Sequence, residues 1–211
     1  MKIRIAALLM FAFSLALPAL AGEIYNDGPI NGTVDGWTIN FGFVVGDSFT
    51  VSAGTSTING IQFGAWLEPG DTLQSAEVQI ESEAGGGTVY FDQTVNFTAS
   101  GCAGNQYGYN VCTETGMFNG PTLNNGTYWL LLQNAVTAEG NPVYWDENSG
   151  AGCTSPGCPS EGYEPGGTIP AESFTVLGGP ASGSTPEPGS ILLFASGAAG
   201  AAGVLRRKFR G

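Results

Sequence analysis

The sequence contains no histidine, and between Arg4 and Arg206 it contains no lysine or arginine. That absence removes most catalytic machinery. A Ser-His-Asp triad or a Cys-His pair needs an imidazole. Phosphoryl transfer needs a cationic clamp on the phosphate. The stretch from Glu23 to Glu172 holds 17 of the 18 acidic residues with no basic partner, so internal salt bridges are excluded there. Such a surface repels a phosphate backbone, which excludes nucleic-acid binding. Stability has to come from apolar burial, hydrogen bonds, disulfides and bound cations. The one catalytic option left is a carboxylate pair on a glycosidic bond. Asp146 or Glu147 with Glu81 or Asp92 would supply it, but any acidic domain offers such pairs by chance. The expectation is therefore a protein that is not an enzyme.

Charged residues make up only 11% of the chain, and no stretch carries a convincing helical repeat of apolar positions. Glycine, with 34 residues, and proline, with 12, are plentiful, and 42% of residues are apolar. This composition supports one turn-rich β domain with enough apolar material for a core. The four cysteines fall into two local couples, Cys102 with Cys112 and Cys153 with Cys158. In an exported chain an even count reads as disulfides. The spacing favours 102–112 with 153–158 among three connectivities, each closing a short loop and contributing about 2–3 kcal/mol. Without His or paired two-residue spacing, a zinc site is disfavoured.

All six basic residues sit at the ends. Lys2 and Arg4 precede an apolar run, Ile5 to Leu17, and Ala19 and Ala21 stand at cleavage positions. That is a secretory signal peptide, residues 1–21, expected to form a helix and to be cut after Ala21. At the other end Pro186-Glu187-Pro188 precedes a weakly apolar segment, 189–205, then Arg206, Arg207, Lys208 and Arg210. Seventeen residues make a helix of about 25 Å, the low end for a transmembrane span. The basic cluster is a cytoplasmic topology marker. The Gly/Ser-rich stretch 178–185 reads as a flexible linker, and the two prolines hold the motif extended.

These three features in order, over Thr185 to Gly211, resemble the PEP-CTERM sorting domain, a module also catalogued as the C-terminal domain of ice-binding proteins. The resemblance implies an exosortase as partner and a transient inner-membrane anchor. It also implies processing near Pro186-Glu187-Pro188 and delivery to the cell surface or extracellular medium of a biofilm- or exopolysaccharide-producing bacterium.

Residues 22–177 read as the exported domain, in about nine strands. Trp37, Ile39, Phe41, Phe43 and Val45 alternate with small or polar residues, and Gly46-Asp47 reads as a turn. Ile61 to Leu67 alternates next, and Glu68-Pro69-Gly70-Asp71 fits a type II turn. Thr127 to Val136 reads as a central strand. Two packed antiparallel sheets, a jelly-roll-like sandwich, are the predicted fold. The segments Ser48–Val51, Ile61–Asp71 and Gly126–Leu130 also resemble ectodomains found ahead of this sorting tail, which implies a sandwich as well.

The candidate ligand contacts are Tyr144, Trp145, Asp146, Glu147 and Asn148. Aromatic faces stack on sugar rings and short polar groups bond hydroxyls, so this segment suits an exopolysaccharide-binding module, with Tyr107 and Tyr109 as additions. Its plainer reading is one aromatic in the core and a solvated loop. Asp146, Glu147 and Asn148 are also the candidate ligands of a structural calcium. No other cofactor is expected.

Overall fold

The computed structural model describes residues 22–52 and 54–180. The signal segment, residues 181–185 of the linker, the sorting motif, the span 189–205 and the basic cluster lie outside the described residues. Among those described there is no helix. The strands are β1 (Gly22–Asn26), β2 (Asp35–Thr38), β3 (Val44–Val51), β4 (Ser56–Leu67), β5 (Leu73–Glu83), β6 (Gly86–Asn96) and β7 (Thr98–Gly104). They continue with β8 (Asn110–Met117), β9 (Thr122–Leu123), β10 (Gly126–Thr137), β11 (Val143–Glu147), β12 (Gly162–Glu164), β13 (Gly167–Ile169) and β14 (Phe174–Pro180).

The strands form two antiparallel sheets in a sandwich-like arrangement. One has six strands in the order β13-β12-β3-β10-β5-β6. The other has eight, built on β4: β14 and then β11 pair along one edge of it, and β9 and β8 along the other. Apolar residues alternate on facing sides because side chains of a strand alternate between its faces. Val45, Phe49 and Val51 of β3, Ala76, Val78 and Ile80 of β5, and Leu130 and Leu132 of β10 turn inward. They join Ile61, Phe63 and Ala65 of β4 and Phe174 and Val176 of β14 in one core. Each large side chain so buried is worth about 2–3 kcal/mol against exposure.

The central-strand reading of Thr127 to Val136 holds: β10 lies between β3 and β5. Leu73 and Ala76 both face the core because β5 carries an extra residue, Gln74, opposite Val136–Thr137, and a second irregularity lies on the facing strand. There β10 bulges between Gln133 and Val136, and Asn134 takes φ 49°. The Pro69-Gly70 turn forms with Gly70 at φ 94°, and Asp71 N–H donates to Glu68 O. Both cysteine pairs are disulfides, Cys102–Cys112 and Cys153–Cys158.

Other expectations are corrected. Gly46-Asp47 is no turn but mid-strand in β3. Glycine suits the close approach there, since a Cβ would lie 3.0 Å from Leu131 Cγ and that side chain would have to give. The strand expected from Trp37 to Val45 stops at Thr38, and the chain reverses over Asn40–Gly42. Phe41 adopts φ 55°, and Phe41 and Phe43 are 64% and 57% exposed instead of buried. The domain does not end at Leu177. Gly178, Gly179 and Pro180 remain in β14, paired with Ile58, Thr57 and Ser56.

Candidate functional site

The segment Tyr144–Asn148 is an internal post rather than an exposed platform. Trp145 is 0% exposed. Its ring meets Phe63 and Phe174 edge-on at 5.9 and 5.7 Å, and its Nε1–H donates to Ser173 O at 3.0 Å. The expectation that Trp145 stacks on a sugar is therefore corrected: alternation on β11 turns it into the core.

Asp146 projects from the opposite face, where the segment Asp27–Val34 covers it. Its Oδ1 accepts Gly32 N–H and Trp66 Nε1–H, at 2.9 and 2.7 Å. Its Oδ2 accepts Asn31 N–H and the Ser173 hydroxyl, both at 2.9 Å. Glu147 turns inward again, accepting from Trp37 Nε1–H and the Ser149 hydroxyl. Asn148 donates to Asp27 O and accepts Gly150 N–H. With Asp146 and Glu147 on opposite faces, the three cannot share one calcium, so that ligand set is corrected as well. For Asp146 the hydrolytic pairing does not form either. Asp146 is on the outer face of the β4 sheet, while Glu81 neighbours inward-facing Ile80 on the other sheet and Asp92 is exposed on β6.

What Asp146 does is hold Trp66, and Trp66 is the floor of an aromatic groove. Tyr107 stacks on it at 5.4 Å and 20°, and Tyr109 lies 5.9 Å away. Tyr144, directed outward from β11, meets Tyr109 edge-on at 5.4 Å. Burial, then the neighbouring Tyr109 hydroxyl, pushes the Tyr144 hydroxyl up to about 12, so it remains a protonated donor. With Val34, Asp35 and Gly36 these rings enclose about 320 Å³. Tyr107 is 51% exposed, and its hydroxyl donates to Thr33 O and Val34 O. The Tyr107 and Tyr109 loop is shaped by Asn105, whose Oδ1 accepts both of their backbone N–H groups. The Cys102–Cys112 disulfide joins the strands on either side of it. Of the residues singled out in the sequence, Tyr107, Tyr109 and Tyr144 thus meet, and Trp145 is replaced by Trp66. The signal for Trp66 was its even spacing from Gly64, opposite in phase to Phe63 and Ala65.

The second feature is a set of buried acids with no base near them. Asp27, Asp47, Glu114, Asp146 and Glu172 are fully buried, and Glu147 nearly so. Burial pushes Asp27 up to about 6 and Glu114 up to about 7. Burial also holds Asp47 and Glu172 well above the ordinary carboxylate range.

A family model described as the PEP-CTERM protein-sorting motif matches residues 184–208. The match begins beyond β14 and leaves the sandwich outside it. No curated protein and no solved structure matches the chain.

Proposed function

With residues 184–208 matching a PEP-CTERM sorting motif, we propose that this is an exported, non-enzymatic surface or matrix protein whose sandwich is handed over by an exosortase. The sorting match carries the reading. Supporting it, Pro186-Glu187-Pro188, the apolar segment and the basic cluster stand in order. The non-enzymatic part rests on the composition of the sandwich. It has no imidazole, ammonium or guanidinium side chain, and Asp146 spends its oxygens on four structural hydrogen bonds.

The full chain, expressed in its native host, tests the sorting. Mass spectrometry of the surface protein is expected to find a C-terminus near Pro186-Glu187-Pro188. Alanine at all three positions should retain the uncut chain in the membrane. A mature surface protein running intact to Gly211 would overturn the reading.

The aromatic groove favours a second reading, contact with the host's own exopolysaccharide. A half-exposed tyrosine backed by a fixed tryptophan offers a rigid face for a sugar ring, and aromatic contacts of this kind are worth about 0.5–1.5 kcal/mol. Titrating the full chain with that polysaccharide should give an affinity that Tyr107→Ala lowers by about tenfold. Equal binding by wild type and variant would remove the groove from consideration.

A further inference from the structure

The buried carboxylates between the two sheets lack what buried charges require. Asp47, at mid-strand in β3, turns inward between Val45 and Phe49. Its Oδ2 accepts the backbone N–H of Glu172 from across the sandwich at 2.6 Å, and Oδ1 accepts Ser48 N–H. Glu172 forms an antiparallel bridge with Glu147, and its side chain is 0% exposed. Neither oxygen of the Glu172 carboxylate has a hydrogen-bond partner. Asp27 Oδ2 and Ser160 Oγ are likewise buried without partners. An unpaired buried carboxylate is among the most costly groups a fold can hold, and such groups are normally paired or metal-bound. No lysine, arginine or histidine lies anywhere in 22–180 to neutralise these. The nearby Cys153 and Cys158 sulfurs are tied in a disulfide, so they offer no thiolate.

We propose that Glu172 and Asp47 bind one calcium ion between the sheets. The donors are oxygen only, which suits a hard cation and disfavours zinc or copper. Glu172 supplies two free oxygens and Asp47 a second carboxylate. Backbone carbonyls and water complete the six to eight ligands that calcium takes. The ion pins β3 of one sheet to the chain just before β14 of the other. It acts as the intersheet clamp that a chain without bases cannot make from salt bridges. An extracellular module working at millimolar calcium needs only modest affinity. The proposal does not depend on how the tail is processed.

The test uses the full chain in detergent, stripped with EDTA and then titrated with CaCl₂. Thermal unfolding and equilibrium dialysis with ⁴⁵Ca²⁺ are followed together. The expected result is one equivalent bound at millimolar calcium and a rise in the midpoint that magnesium does not reproduce. Glu172→Gln is expected to remain folded in EDTA, because it removes a buried charge. It should lose the calcium-dependent rise and weaken binding by about 100-fold or more, the upper end of what outer-sphere changes alone cause. Asp47→Asn serves if Glu172→Gln does not fold. In the wild type, Tb³⁺ luminescence sensitised by core aromatics and quenched by calcium gives a readout free of any substitution. A wild-type midpoint unaffected by calcium would overturn the proposal. So would a rise that survives in both variants, which would place the ion on the acidic surface.

Discussion

Replacing Asp146 with alanine is expected to destabilise the full chain by about 4 kcal/mol or more, as measured by chemical denaturation. The carboxylate accepts four hydrogen bonds within a buried site. Removing it strands the N–H groups of Asn31 and Gly32, the Trp66 indole and the Ser173 hydroxyl. Each stranded buried group costs about 1–3 kcal/mol, and relaxation recovers part of the sum. Asp146→Asn should cost about half as much, since its carbonyl still accepts two donors while its amide faces the other two. The alanine variant should also loosen the groove, because Trp66 loses its Nε1–H bond to Asp146 and Tyr107 its fixed backing. An alanine variant within 1 kcal/mol of wild type would show that the carboxylate does not organise this face.

The second large effect is a pH dependence from Glu114. This residue sits on β8 opposite Phe63 of β4 and Ala99 of β7, fully buried, with neither oxygen hydrogen-bonded. The residues paired beside it carry no charge, and burial alone moves it from 4.5 to about 7. A carboxyl raised on folding means that the native state binds the extra proton. Its stability relative to the unfolded chain is greatest below pH 4.5 and falls as pH rises from there to about 7, then levels. The full loss is about 3 kcal/mol. Glu114→Met keeps the volume without the acid. The difference between variant and wild type should therefore grow in the variant's favour by about 3 kcal/mol between pH 4.5 and 8. Denaturant midpoints across that range, in EDTA, measure it. A constant difference would mean that Glu114 is hydrated or paired in solution. Asp71 acts in the other direction. Burial opposes its charge, but hydrogen bonds from Glu139 N–H, Thr72 N–H and Asn141 outweigh it and lower its pKa. Its contribution is present above the ordinary Asp range and is lost as pH falls through the lowered value.

The fold class was legible because turns and alternation are local. Glu68-Pro69-Gly70-Asp71 marks the turn that takes the chain from β4 into β5 of the other sheet, the glycines at 85–87 mark the β5–β6 hairpin, and Thr127 to Val136 is too apolar for an edge. Strand β8 was hidden because its sequence, Asn-Val-Cys-Thr-Glu-Thr-Gly-Met, places an acid where alternation wants an apolar residue. Glu114 fills that inward position. The same disguise covered β3, where inward Asp47 made Gly46-Asp47 look like a turn. Acids read as surface in a sequence, and this domain buries several of them. Of the site, the tyrosines were visible as exposed-looking aromatics in a disulfide loop. The choice of Trp66 over Trp145 depends on which face of β4 and of β11 is covered, and that is set by pairing across distant strands. The sorting end was legible outright because its signal is linear.

The end of β14 has a geometric consequence. Pro180 is still paired, with Ser56, and Pro186 is six residues further on. Six residues reach at most about 20 Å, whatever path they take. A sandwich fastened to a surface at the sorting motif would therefore be moored on a very short leash, with the Ser56 end of β4 toward the point of attachment. Trp66 stands ten residues along that strand, about 33 Å away. The moored molecule would turn its aromatic groove away from the cell, toward whatever lies outside.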